Sequence, residues 1–369
     1  MSIIEEFIMK KYLSLLLIIF LVFVVNCEDG GTNSKKDKFS GMIEGVDFDL
    51  LFAEPTNSEI EDIYEDWGNR VDEVREISFE DTIPSLIGNK MHDIHIVSHV
   101  NSDGLRHYGA VILPSDTTMD EFPVMFYNHG GDNGVDINSF LTLTAFSPDM
   151  VEISKKFFIV IPSFRSEPLI ANEIYTSEGN PSPWDKDVDD CIGLLTVVQT
   201  SYPESDMSNV YVVGASRGAG VAMLWAARDE RIKKVVDFFG PTDLLSEWTK
   251  EITYEALSGN IVELPGLDYL NDNIILPLKN KILSISDARH ELIKRSAVYF
   301  LNDITPLQVH HGTADEIVPV TQAERLIEMA IELELPIEEF QYFLHEYSGH
   351  DETTFIKGID EMRDFILSD

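Results

Sequence analysis

Cysteine is nearly absent: the 369 residues carry only Cys27 and Cys191, so no disulfide framework supports the fold. Basic residues are scarce too, 27 against 65 acidic, a formal charge of −38. A phosphate backbone needs a basic face to displace its counterions, so nucleic acid is excluded as a partner. The excess of negative charge fits a well-solvated chain kept soluble by self-repulsion. There is no internal repeat, so a β-propeller, whose blades take about 40–45 residues each, has no room. Apolar runs are short as well; the run at residues 15–25 falls below the ~20 residues that span a bilayer as a helix. What remains is an ordinary globular composition, 44% hydrophobic and 25% charged, sized for one large domain or two.

The N-terminus reads as an export segment. Lys10 and Lys11 precede the apolar run, and Asn26-Cys27 follow it, the basic-then-apolar order of a secretory signal. Met9 opens a more usual signal of the same kind. A tilted signal-anchor helix from Tyr12 is the alternative. Cys27 is placed like the lipid-modified cysteine of bacterial lipoproteins, although Asn26 departs from the small residue usual before it. The expected organisation is a signal over 1–27, a flexible tether over 28–40, an N-terminal helical extension over 41–91 and a catalytic domain over 92–369. Such a protein is exported to the cell envelope, held at the membrane by a lipid or a signal-anchor. In the extension, Ile60, Ile63, Tyr64, Trp67 and Val71 fall at helical spacing.

From residue 94 the pattern becomes strands: 94–100, 108–113, 122–127, 157–162, 210–213, 235–239, 307–310 and 340–344. Their continuous apolar runs suit strands covered on both faces, as in a parallel sheet. Helical stripes lie between them, Val188, Cys191, Ile192, Leu195 and Val198 in one and Ala323, Leu326, Ile327, Ala330 and Ile331 in another. Thr321 with Glu324 reads as a capping box for the second. Strands alternating with helices define an α/β fold, with a mostly parallel eight-stranded sheet and helices on both faces. Residues 245–300 break the rhythm and read as an insertion after the sixth strand that shapes a pocket.

Chemistry concentrates at Gly214-Ala215-Ser216-Arg217-Gly218. A β-branched strand precedes it and an alanine-rich helix follows, the setting of a nucleophile elbow. A sharp turn there thrusts the serine out at the sheet's end, and strand and helix pass so closely that side chains two positions either side of it would clash. A serine hydroxyl needs a base, and the base an orienting acid. Asp315 follows the strand at 307–310, at the strand end where open α/β sheets bind ligands. His350 lies in the loop after the last strand. His310, His311 and His345 sit within or at the ends of strands, where a structural histidine is expected. Asp287, Asp303 and Asp351 are rival acids, but none follows a strand in this way.

An oxyanion requires preorganised N–H donors. The amide of Arg217, just after the serine, is one candidate; Gly130 or Gly131, in Asn128-His129-Gly130-Gly131 after the third strand, supplies the other. Arg217 and Arg165 are basic residues near the sheet edge, each able to bind a substrate carboxylate or to sit in a structural ion pair. Cys191 reads as a core residue.

Three motifs, Gly214-Ala-Ser216-Arg-Gly218-Ala-Gly220, His311-Gly-Thr-Ala-Asp315-Glu-Ile-Val-Pro319 and Ser348-Gly-His350-Asp351, together resemble the catalytic domain of the prolyl oligopeptidase family of α/β-hydrolases. The stretch Arg295-Ser-Ala-Val-Tyr-Phe300 is similar as well. The resemblance covers roughly residues 92–367. It implies Ser216 as nucleophile, Asp315 as orienting acid and His350 as base, with no cofactor and no metal. Family peptidases commonly carry an N-terminal propeller, which this chain has no room for. The expectation is therefore a serine hydrolase of carboxylic esters acting on a small ester. A peptidase of short peptides, for which Glu173 and Glu178 are candidate ammonium anchors, and a non-catalytic surface binding protein are the alternatives.

Overall fold

Valine, isoleucine and phenylalanine dominate the central strands, and the β-branched and aromatic side chains set both their conformation and their burial. The computed structural model describes residues 39–368 apart from 117, 261–263, 265 and 305. The signal, Cys27 and nearly all of the tether lie outside the described residues. Nine strands form one sheet: β1 (Arg75–Ile87), β2 (Lys90–Val100), β3 (Arg106–Ile112), β4 (Phe122–Asn128), β5 (Phe158–Pro162), β6 (Ser205–Ala215), β7 (Ile232–Phe238), β8 (Leu307–Gly312) and β9 (Phe340–His345). Their spatial order is β9-β8-β7-β6-β4-β5-β3-β2-β1. From β5 through β9 every neighbouring pair is parallel, while β1, β2 and β3 pair antiparallel and β3 joins β5 antiparallel.

Successive side chains on a strand point to opposite faces, and each face has its own core. On β4, Val124 and Phe126 point into one core and Met125 into the other; on β6, Val212 and Val213 divide the same way. The first face is covered by α1 (Asn57–Gly68), α4 (Lys186–Ser201), α5 (Arg217–Ala226) and α8 (Thr321–Glu332). The second is covered by α2 (Ile137–Phe146), α3 (Pro148–Lys156) and α9 (Glu352–Leu367). Phe126 meets Trp225 of α5 edge-on at 4.7 Å between ring centroids, a contact worth about 0.5–1.5 kcal/mol beyond its buried area. It helps press α5, whose first residue follows Ser216, onto the sheet.

Three expectations are corrected. The sheet has nine strands, not eight, and the added one, β1, occupies part of the stretch expected to be helical. Its sequence alternates polar and apolar residues and carries Pro84; an edge strand tolerates both, because one side of its ladder needs no partner. The expected helix exists as α1, but it ends at Gly68, leaving Val71 beyond it and 63% exposed. Thr321 makes no capping bond: α8 opens from a tight turn in which Pro319 and Val320 carbonyls accept the first amides. A complete capping box stands instead at Thr56 and Glu59 of α1.

The 245–300 stretch contains α6 (Glu247–Ser258) and α7 (Ile285–Ile293). Arg289 of α7 ties the N-terminal segment down. Its guanidinium donates to Glu59 at 2.6 and 3.0 Å and to the carbonyls of Leu50, Leu51 and Ala53. Trp248 of α6, with Leu264 and Leu267 further along, reaches the cavity described next.

Candidate active site

Ser216 sits between β6 and α5 with φ 51° and ψ −121°, a backbone region that costs a non-glycine residue about 1–3 kcal/mol. Neighbouring structure enforces it. The Ser216 amide donates to the Phe238 carbonyl of β7 at 2.9 Å. A Cβ on Gly214 would lie 2.4 Å from the Gly218 oxygen, and one on Gly218 would lie 2.1 Å from the Asn128 oxygen. Both positions thus require glycine, and the serine side chain is left projecting beyond the strand end.

His350 lies in the loop between β9 and α9. The Ser216 hydroxyl and His350 Nε2 are 2.8 Å apart, and His350 Nδ1 is 2.8 Å from Asp315 Oδ2. The carboxylate accepts from Nδ1, which leaves Nε2 bare to accept the serine proton. Asp315 Oδ1 is itself held by the amides of Ile317 and Val318, each at 2.9 Å. Burial pushes the Asp315 carboxyl up, but hydrogen bonds from His311 and His350 and these amides outweigh it and hold it well below the usual carboxylate range. It is therefore ionised at any working pH. The Phe239 ring lies 4.5 Å from that of His350, centroid to centroid, and limits its rotation.

The sequence-predicted oxyanion residues are brought to the same place. Arg217 opens α5, so its amide has no acceptor within the helix. Gly130 packs against the elbow, where a Cβ would stand 3.1 Å from Ser216 Cβ. Gly131 has φ +77° and open space where its Cβ would be. Together with Ser216 and His350 they line a cavity of about 410 Å³. Its walls are otherwise apolar: Trp184, Phe239, Pro241, Trp248, Leu264, Leu267, Ile317 and Val318. No lining side chain among the described residues is a free cation or a carboxylate.

Two arginines behave differently from a substrate anchor. Arg165 does not line the cavity; its guanidinium is buried and donates to Asp190 at 2.8 Å and to Asp103 at 2.9 Å. The expectation that it binds substrate is thus corrected: two carboxylates already satisfy it. The Arg217 side chain turns away into a pair with Asp187 and Glu167, leaving its backbone to the cavity. His310 and His345 pair with each other at 3.1 Å beneath α9, and neither lines the cavity. Glu173 and Glu178 are exposed and equally remote from its lining. Cys191 is fully buried in the core. Among the described residues no cluster of histidine, cysteine and carboxylates has the makings of a metal site.

Trp248, Leu264 and Leu267 bring the 245–300 stretch to the cavity as the sequence led us to expect, but sequence reasoning missed Trp184. Trp184 donates from Nε1 to the Arg217 carbonyl at 3.1 Å and is boxed in by Gly220 and Gly266, whose Cβ atoms would fall 2.7 and 2.6 Å from it. Its position before α4 has no periodicity to betray it, and only its φ of 60° marks it as held for a purpose.

The fold is the α/β-hydrolase fold. No protein-family model matches this chain and no curated protein does, but solved structures share its fold. An acetyl xylan esterase from Paenibacillus sp. superposes with a TM-score of 0.57 at 16% identity, over 86% of this chain and 98% of that one. Acetyl xylan esterase 1 from Thermoanaerobacterium sp. gives 0.54 at 18% identity, over 85% and 99%. A puromycin-hydrolyzing peptidase from Mycobacterium tuberculosis gives 0.51 at 15% identity, over 79% of this chain and 48% of that one. Identities this low speak to the fold, and both esterases and peptidases share it.

Proposed function

We propose that this protein is a serine hydrolase cleaving a carboxylic ester through an acyl-enzyme. The observation that carries this reading is the unbroken chain from Ser216 through His350 to Asp315, with both links at 2.8 Å, at a strained elbow facing an apolar cavity. In this mechanism His350 Nε2 takes the hydroxyl proton as Ser216 Oγ attacks the ester carbonyl. Charge develops on the carbonyl oxygen, which the amides of Arg217 and of Gly130 or Gly131 receive. The C–O bond to the alcohol then breaks, and the alcohol leaves with the proton from His350. Water attacks the acyl-Ser216 by the same route in reverse, releasing the acid and restoring the serine.

The lining of the cavity at Ser216 favours an ester over a peptide whose free N-terminal ammonium would have to be bound inside it. An aminopeptidase-type site needs a carboxylate to receive the substrate ammonium, and none lines this cavity among the described residues. An apolar wall also favours a substrate whose group beside the carbonyl is itself apolar. Export and anchoring through Cys27 belong to the same proposal and rest on the sequence of residues 1–27.

Turnover of p-nitrophenyl acetate, p-nitrophenyl butyrate and an Ala-Pro-anilide by the wild type and by Ser216→Ala tests it. Ester turnover lost in the variant supports the proposal. Preferential anilide cleavage points to a peptidase, and an inert wild type leaves a binding protein on a hydrolase fold.

A further inference from the structure

Glu167 takes no part in the mechanism above and does not line the cavity around Ser216. It is nonetheless a buried carboxylate, its side chain 4% exposed, in the loop after β5. Its contacts converge on the oxyanion segment. Oε1 pairs with the Arg217 guanidinium, and the same Nη1 of Arg217 donates to the Gly131 carbonyl at 3.2 Å. Oε2 accepts from the Gly134 amide at 3.2 Å and faces His129 Nε2 at 3.7 Å. His129 Nδ1 in turn donates to the Gly130 carbonyl at 3.0 Å.

The Gly131 carbonyl is therefore held by a guanidinium that rests on Glu167, while the Gly130 carbonyl is held by His129, whose Nε2 stands beyond hydrogen-bond reach of that carboxylate. A trans peptide points its N–H opposite to its C=O. With the Gly130 oxygen turned to His129, the Gly131 N–H is turned the other way. Glycine at φ +77° has little side-chain preference of its own to maintain that orientation, so it must come from outside the segment.

We propose that Glu167 is the positioning residue of the oxyanion loop, acting through Arg217 on the Gly131 carbonyl and through its own bond from the Gly134 amide to keep the loop placed with the Gly131 N–H directed at the carbonyl oxygen of a substrate on Ser216. The inference rests on the reading of Ser216 as nucleophile. It adds a residue that holds the hole without touching the reacting atoms.

The surroundings make the role sensitive to pH. Around Glu167 stand Arg217 and His129, with Asp187 across the guanidinium and Asp132, Asp268 and Asp272 along the neighbouring cavity. Two buried carboxylates, Glu167 and Asp187, share the single charge of Arg217. Burial pushes Glu167 up to about 7 although Arg217 pulls it down, and burial pushes His129 down to about 4, so its ring is neutral. Below neutrality a protonated Glu167 gives up its charge in the pair with Arg217, and above it the ion pair that holds the guanidinium against the Gly131 carbonyl is complete.

The test compares Glu167→Ala and Glu167→Gln with the wild type in kcat and KM on p-nitrophenyl butyrate from pH 5 to 9, with thermal unfolding run beside them. Glu167→Ala should lower kcat on the order of 10- to 100-fold, as misplacing one oxyanion donor does, and leave KM near the wild-type value. Glu167→Gln should recover most of kcat, since its amide oxygen can still accept from Arg217, and should erase the titration step near pH 7. A folded Glu167→Ala with wild-type kcat overturns the proposal. So does Glu167→Gln with an unaltered pH profile, a readout that stands even if the alanine variant does not fold. A wild type that hydrolyses no ester removes the hydrolase reading and this inference with it, whereas an active wild type beside indifferent variants removes this inference alone.

Discussion

Gly218 lies against the carbonyl of Asn128 so closely that a Cβ on it would stand 2.1 Å from that oxygen. The contact joins the start of α5 to the end of β4, and so fixes the serine turn relative to the oxyanion loop. Gly218→Ala must move one of the two backbones. We expect a loss of about 1–3 kcal/mol or more in stability and a fall in kcat larger than in folded fraction. Gly68→Ala is the control, because nothing lies within 4 Å of its Cβ position and its φ is ordinary. Urea unfolding of both variants checks this.

Asp315 orients His350 and keeps its proton on Nδ1. Asp315→Asn offers a donor where an acceptor is needed, and kcat should drop about 10⁴-fold with KM little changed. The stability effect has a definite sign. A carboxyl whose pKa is depressed by folding contributes stability above its unfolded value, about 3.9, and loses it as pH falls through the folded value. The stability gap between wild type and Asp315→Asn should thus be full at pH 6 and shrink below about pH 4. Denaturant unfolding at the two pH values reads it.

Trp248 lines the cavity while only half-buried in α6, so it can be removed with less damage to the fold than the enclosed Trp184. Trp248→Ala should raise KM for p-nitrophenyl butyrate about 10-fold, the equivalent of ~1.4 kcal/mol of lost apolar contact, and leave kcat closer to wild type. Steady-state kinetics across acyl lengths would show the effect growing with chain length.

His99 and His107 are buried side by side, and burial pushes each down to about 3. They are neutral in the folded protein, while the unfolded chain takes up protons below about 6.5. Folding stability therefore falls with pH between about 6.5 and 3, by roughly 1.4 kcal/mol per pH unit for each histidine. His99→Leu removes one such site, and its stability should decline less steeply than the wild type's over that window. Unfolding free energies at three pH values measure the slope.

The parts of the fold that could be read from sequence are those in which one residue type serves one physical purpose. Continuous apolar runs such as Phe158–Pro162 announced buried parallel strands, and Gly214 and Gly218 announced a close crossing. β1 escaped because Pro84 and its run of Ser, Glu and Asp residues mask the apolar positions Ile77, Phe79, Ile83 and Leu86, as an exposed edge strand tolerates. Ser216, Asp315 and His350 were legible because loops at strand ends carry few other constraints. Trp184, His129 and Glu167 were not: each acts through a contact with a backbone carbonyl or a distant guanidinium, and such contacts leave no spacing in the chain. Arg165 misled for the converse reason, since an arginine near the sheet edge looks the same in sequence whether it faces substrate or two aspartates.

The most direct measurement treats the protein with a fluorophosphonate and locates the adduct by peptide mass spectrometry, beside His350→Ala. The account predicts a single stoichiometric adduct on Ser216, forming far more slowly when His350 is absent. An adduct on another residue, or none on a folded protein that still turns over esters, would contradict it.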